Sequence, residues 1–312
     1  MGLARYILQR FVSALIALWV LITITFIMMH AVPGGPFATE KAVPENILRN
    51  LEQKYGLDQP LPKQYVRYLG NVIRLDLGLS YKFKGQTVND FIRREFPVSA
   101  EIGIISIILS LLVGIPAGVI SAFRQNKWQD NAAMFVAIIG VSVPSFIVAP
   151  LLMYVLALKL HWLPAAMWGM TWKQAVMPVV SLALLPLATF ARLMRSSTLD
   201  VISQDYIKTA RSKGLSEMEV VWRHVMKNAI MPVVTFLGPL IAGILTGTFI
   251  IESIFAIPGL GREYVWSVTN RDYTVLLGLT IFYGAFLLLM NLMVDIIYGF
   301  LDPRIQLTGH KE

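Results

Sequence analysis

Residues 11–31 read FVSALIALWVLITITFIMMHA, an unbroken apolar run from Phe11 to Ala31 preceded by Arg5 and Arg10. A helix needs about 20 apolar residues to cross a hydrocarbon core of roughly 30 Å, and this run is long enough. A secretory leader would share the positive start. Its apolar region, however, is usually about 7 to 15 residues and is followed by a small-x-small cleavage site. Neither holds here, so the run predicts a retained first membrane span.

Further apolar runs follow at Ile102–Phe123, Ala132–Leu158 with Pro144 and Pro150, Ala175–Leu193 with Pro178 and Pro186, Ala229–Ile251 with Pro232 and Gly238-Pro239, and Val275–Leu301. The expected fold is therefore an all-α polytopic membrane protein with six transmembrane helices and a long outer loop between the first two. Prolines inside spans are tolerated because neighbouring helices satisfy the freed backbone groups; here they predict kinks. The expected organisation is an N-terminal segment and first span over 1–31, an outer subdomain over 32–97, a five-helix core over 98–301 with an inner loop at 195–228, and a tail over 302–312.

Composition agrees. Of 312 residues, 56% are apolar and only 15% charged, and the mean hydropathy is +0.62. Soluble domains carry about 25% charged residues, and disorder needs low hydrophobicity with high charge; both classes are excluded. The absence of cysteine removes disulfides, thiolate metal sites and cysteine nucleophiles.

The net charge of +8 reads as topology. With the N-terminus inside, the inner segments hold thirteen basic residues: Arg5, Arg10, Arg124, Lys127, Arg192, Arg195, Lys208, Arg211, Lys213, Arg223, Lys227, Arg304 and Lys311. The short outer loops hold only Lys159, Lys173, Arg262 and Arg271. Long loops translocate largely regardless of charge, so the bias predicts both termini in the cytoplasm. It also accounts for the basic balance without nucleic acid.

The outer segment opens on the helix breaker Pro33-Gly34-Gly35-Pro36. Pro44–Tyr55 places Ile47, Leu48, Leu51 and Tyr55 at helical spacing, with Gly56 at a C-cap position. Tyr65, Tyr68, Leu69, Val72 and Ile73 form a second stripe, expected to pack a small cap. In the second span Ser106, Ser110, Gly114 and Gly118 recur every four residues on one face, a close-packing signal that Gly243 and Gly247 repeat in the fifth.

Several chemistries find no residues. There is no phosphate-cradling G-x-x-x-x-G-K-[ST], H-E-x-x-H or G-x-S-x-G pattern. His30, His161, His224 and His310 do not meet metal-site spacing. No catalytic or metal-binding residue is nominated, which leaves little for a membrane enzyme. An ion-driven carrier or channel would call for ionisable groups within spans. The spans are nearly free of them; the acids are Glu252, at the end of the fifth span, and Asp295, four residues from Asn291 in the sixth. Asn291 and Asp295 also read simply as one polar edge bonded to a neighbouring helix. The chain looks like a conduit without an energy source.

Asp205 is placed to cap a short helix over Tyr206–Lys213, which Gly214 would end. Ser216-Glu217-Met218-Glu219 is a capping box opening a second helix toward Pro232. The short helix would project from the inner rim, either docked in a groove of another protein or lying on anionic lipid.

The stretch Asp205-Tyr206-Ile207-Lys208-Thr209-Ala210-Arg211-Ser212-Lys213-Gly214-Leu215 resembles the coupling-loop signature of permease subunits of peptide-type ABC importers. That signature reads E-A-A, three residues, then G. Ala210 and Gly214 match its second alanine and its glycine, while Lys208 and Thr209 stand at the glutamate and first alanine. More family motifs lie in order along the chain: Leu75-Asp76-Leu77-Gly78-Leu79-Ser80, Phe96-Pro97-Val98-Ser99-Ala100, Ser142-Val143-Pro144-Ser145-Phe146, and Glu252 through Pro258-Gly259-Leu260-Gly261. Within the family the resemblance is greatest to oligopeptide-importer permeases, with dipeptide, nickel and glutathione systems as alternatives.

The resemblance implies a type I ABC importer permease fold in a bacterial cytoplasmic (inner) membrane. It implies a heterodimer with a second permease, two cytoplasmic ABC ATPases that bind ATP and Mg, and an extracytoplasmic binding protein that delivers peptide. No cofactor would be bound by this chain. The segment Asp205–Leu215 would dock in an ATPase cleft. Pro258, Gly259 and Leu260 would serve as a gate or binding-protein contact, or only as a tight turn. Ser142, Pro144, Ser145, Glu252 and Asn291 are further candidates for the path, although the two serines also suit a role in satisfying backbone carbonyls freed by Pro144.

Overall fold

A segment inside a bilayer must satisfy its backbone hydrogen bonds internally, so apolar runs of this length fold as helices. The computed structural model describes residues 3–31, 49–50, 53, 55–245 and 248–301. Among them only helices and turns occur, apart from one isolated bridge between Leu79 and Thr87. The helices are α1 (Leu3–Ala31), α2 (Leu61–Ile73), α3 (Val88–Phe123), α4 (Trp128–Ser142), α5 (Ser145–Leu152), α6 (Lys173–Ile202), α7 (Asp205–Ser212), α8 (Glu217–Glu219), α9 (Met226–Ala229), α10 (Met231–Leu245), α11 (Phe249–Ile254), α12 (Leu260–Thr269) and α13 (Tyr273–Leu301). Five described helical stretches are long and apolar enough to cross a membrane, and the count is six if the bent pair α4 and α5 is one span. The end carrying residues 55–87 and 255–272 is termed outer below and the end carrying α7 inner, following the charge bias.

The structure moves several expected boundaries. The second span begins at Val88 rather than Ile102, because Thr87 and Asp90 form a capping box that fixes the helix start, and the helix continues through Pro97. The last part of the outer segment 32–97 thus belongs to this helix. The third span breaks at Pro144 with a bend of 103°. Pro150 does not break it; it lies inside α5, which then widens into a π-helical stretch, Met153–Lys159. Ile73, expected to pack inward, is 81% exposed. Pro33–Pro36, most of Pro44–Tyr55, Gly247, the side chain of Asp295 and the tail 302–312 lie outside the described residues.

The centre of the molecule is the pairing of α3 with α6, and the small-residue stripe explains it. Ser106, Ser110, Gly114 and Gly118 are all buried. A Cβ at Gly114 would stand 2.7 Å from the carbonyl oxygen of Leu187, so the two backbones touch where only hydrogen fits. Ser110 Oγ donates to the carbonyl of Ala183 at 2.9 Å, which ties the helices directly. Gly243 differs: a Cβ there would meet no atom within 4 Å, so the expected close approach is not seen at it.

A second tie lies at the inner ends of these helices. Asp130, 2% exposed, receives Arg195 Nε at 2.6 Å and Nη2 at 2.7 Å, the hydroxyl of Ser121 and the backbone N–H of Asn126 at 2.9 Å. Arg195, counted above only as an inner positive charge, therefore clamps α6 to α3 and α4. A buried carboxylate left without such partners would be strongly destabilising.

The two glycines give a paired expectation. Gly114→Leu forces the α3 and α6 backbones apart and costs about 3 kcal/mol or more; the thermal midpoint in detergent should fall clearly. Gly243→Ala should leave that midpoint nearly unchanged. Equal effects would contradict the packing described.

Candidate functional site

The inner site is built on α7. Ile207 and Ala210 sit three apart on one helical face and are 0% and 5% exposed. They pack with Phe190 and Met194 of α6 and with Val220, Val225 and Ala229 of the following helix. Burying Ile207 contributes about 2 kcal/mol. The polar pairs around it lie on the surface, where each contributes about 1 kcal/mol or less, so apolar packing pins the helix.

The other face is open. Asp205, Tyr206, Lys208, Thr209, Arg211 and Lys213 are exposed. Asp205 is not the cap expected: Gln204 holds the N-cap position without a side-chain cap bond. Asp205 opens the first turn, where a negative charge suits the helix dipole, and accepts from Lys208 Nζ at 2.9 Å. That hydrogen bond holds its carboxyl below the usual carboxylate range.

The turn after α7 is tightly specified. Gly214 has φ +82° with open space around it, so backbone conformation rather than room requires glycine. Arg211 donates to Glu217 through Nε at 3.0 Å and Nη2 at 3.1 Å, bridging α7 to α8. The capping box Ser216–Glu219 is present as expected. Leu215 packs against the same apolar cluster, and Tyr206 Oη accepts from Asn228 at 2.7 Å. The structure thus divides the signature. Ala210 and Gly214 serve packing and turn, whereas Lys208 and Thr209 stand on the exposed face.

At the outer end, Glu252 is 2% exposed and both its oxygens are occupied. Ser99 Oγ donates to one at 2.9 Å and the Arg262 backbone N–H to the other at 2.9 Å. Leu260 N–H donates to Ser99 Oγ at 2.9 Å. A Cβ on Gly259 would lie 2.6 Å from that hydroxyl. Glu252, Gly259 and Leu260 are therefore drawn together, while Pro258 stays exposed at the turn. Ser99 completes the knot; its place in the Phe96–Ala100 motif was the only sequence signal for it.

A second outer knot escaped the sequence reading. Asp272 is fully buried and accepts from the Ser80 hydroxyl, from Tyr81 N–H at 3.1 Å and from Lys82 N–H at 3.3 Å. It thereby ties the Leu75–Ser80 motif to the start of α13. The remaining path candidates are scattered. Ser142 and Pro144 are exposed and Ser145 half-buried at the α4–α5 bend. Asn291 lies on α13 facing α10, where a Cβ on Gly238 would come within 3.5 Å of its Oδ1.

Comparison with known proteins fits this architecture. The family model described as "Binding-protein-dependent transport system inner membrane component" matches residues 114–307, and the N-terminal model of the same system matches residues 3–103. The chain belongs to this family. It is 46% identical over 310 residues to the dipeptide transport system permease protein DppB of Bacillus subtilis, covering 99% of this chain and 100% of the relative. It is 43% identical over 303 residues to the oligopeptide transport system permease protein OppB of Salmonella typhimurium, covering 97% and 99%. Among solved structures, a chain of the MetNI methionine ABC transporter in inward-facing form aligns with TM-score 0.54 at 17% identity, over 68% of this chain and 96% of that one; it shows the shared fold. This family member is thus a multi-pass membrane component of an importer, with the type I permease fold.

In this permease one outer acid titrates near neutrality. Burial, reinforced by the charge of Glu95, pushes Glu263 on α12 up from 4.5 to about 7. A raised carboxyl pKa means that the native state holds a proton the unfolded chain has lost, so stability falls as pH rises from about 4.5 through 7. Hydrogen exchange over residues 255–272 should accelerate between mildly acidic and mildly basic pH beyond the intrinsic rate. Glu263→Gln should flatten that dependence.

Proposed function

We propose that this permease forms half of a translocation path for short peptides, pairs with a second permease, and is driven by two cytoplasmic ABC ATPases that grip α7. An extracytoplasmic binding protein delivers the peptide. ATP and Mg belong to the ATPases, and this chain binds no cofactor. Both termini lie in the cytoplasm of a bacterial inner membrane. The peptide substrate rests on the relatives, which are named for dipeptides and oligopeptides.

The observation that carries the coupling role is the two-sided build of α7. Ile207 and Ala210 fix it to the base of α6, and an open face of Tyr206, Lys208 and Thr209 remains for a partner. A short helix presented in this way suits a groove on another protein. Because it is fixed to α6, a push on α7 reaches the bundle. Asp205, Ile207, Ala210, Arg211, Lys213, Gly214 and Leu215 shape the helix and its turn. Glu252, Gly259 and Leu260 close the outer mouth with Pro258 at the turn. Ser142, Pro144, Ser145 and Asn291 stand along the path.

The exposed face provides the test. Thr209→Trp, and separately Lys208→Glu with Lys213→Glu, should reduce ATPase co-purification and peptide uptake by about tenfold or more, equivalent to about 1.4 kcal/mol of binding. Membrane insertion and thermal stability should not change. Normal co-purification and uptake in both variants would refute the docking role.

A further inference from the structure

Helix α2 carries an exposed outward face. Its inward side is anchored on the last turns of α1. Tyr65 Oη and Thr23 Oγ1 are 2.6 Å apart, His30 Nε2 and Gln64 Oε1 3.2 Å, and the Phe26 ring lies 5.3 Å from that of Tyr65 and 6.1 Å from that of Tyr68. Thr23 lies within the apolar stretch Leu8–Ala31, roughly 12 Å below its end at 1.5 Å per residue. Such contacts hold α2 beside the last turns of that apolar stretch.

The face of α1 that bears α2 continues downward through Trp19, Ile16 and Val12, at helical spacing from Thr23. These are 54%, 56% and 45% exposed, as expected of a lipid-facing column. On its outward side α2 exposes Val66 by 68% and Ile73 by 81%, with Leu75 following at 78%. Val66 and Ile73, seven apart, share one edge of the helix. Lys63 and Arg67, four apart, line the adjoining edge together with Arg74 just past the helix end, and all three are exposed. The helix itself contains no acid. An apolar edge beside a cationic edge is the pattern of a helix seated in the headgroup region.

We propose that α2 is an interfacial anchor that rests on the outer leaflet, with Val66, Ile73 and Leu75 at the acyl boundary and Lys63, Arg67 and Arg74 at anionic phospholipid headgroups. The cations supply charge complementarity to phosphate. This anchor fixes the height of the outer cap relative to the membrane.

The absence of cysteine makes the test direct. Ile73→Cys, and Val66→Cys as an independent second site, are labelled with an environment-sensitive fluorophore. The complete importer, with cysteine-free partners, is placed in nanodiscs of phosphatidylcholine with or without phosphatidylglycerol. Lys84→Cys, on an exposed loop, is the water control. Both α2 probes should emit to the blue of the control and be quenched more by a spin label near the glycerol end of the lipid chain than by one at its methyl end. Phosphatidylglycerol should strengthen that quenching, and Lys63→Gln with Arg67→Gln and Arg74→Gln should abolish the increase. Water-like emission that becomes protected only when binding protein is added would overturn the proposal. So would blue emission that no lipid label quenches, since a protein would then cover the face.

Discussion

The structure depends on one steric constraint: the backbones of α3 and α6 run in contact because their interface offers only small groups. At Gly114 a single added carbon would meet the Leu187 carbonyl. Ser110 uses the same closeness to reach the Ala183 carbonyl. In lipid no hydrophobic drive brings apolar helices together, so dispersion at close range and interhelical hydrogen bonds must do so. Helices α4, α5, α10, α12 and α13 pack directly on this pair, and α1 packs on α13.

The pair also gives the inner end its stiffness. Asp130 and Arg195 fasten the start of α4 to the end of α6, and Ser121 brings in α3. One short turn after α6, α7 is set into the same apolar cluster as Phe190 and Met194. A displacement of α7 would therefore move α6 and its neighbours as a body. At the opposite end, the Glu252 knot fixes the connection before α12 to Ser99 within α3, and the Asp272 knot fixes the start of α13 to the Ser80–Lys82 segment. Both ends are held by buried carboxylates whose partners are mostly hydroxyls and backbone N–H groups.

The sequence made the class, the spans and the α7 turn legible, because each rests on local chemistry. Apolar length reports a span, Ser216 and Glu219 report a helix start, and Gly214 reports a left-handed turn. The stripe from Ser106 to Gly118 showed that a partner helix comes close, though not which one. What stayed hidden was long-range pairing. Nothing near Asp272 in sequence points to Ser80, and Arg195 read as a topological charge because Asp130 lies far along the chain. Asp205 was misplaced by one position, since an acid suits both a cap and a first turn. Pro150 sounded like a break, yet only Pro144 bends the chain, and the local sequence does not separate the two.

The central claim is that an exposed helix fixed to α6 receives mechanical work from a separate ATPase. Photocrosslinking from position 209 tests it most directly, with a photoreactive residue replacing Thr209 in the assembled importer in membranes. The account predicts a crosslink to the ATPase subunit both without nucleotide and during ATP turnover. Crosslinks to lipid alone, with the ATPases present and active, would contradict it.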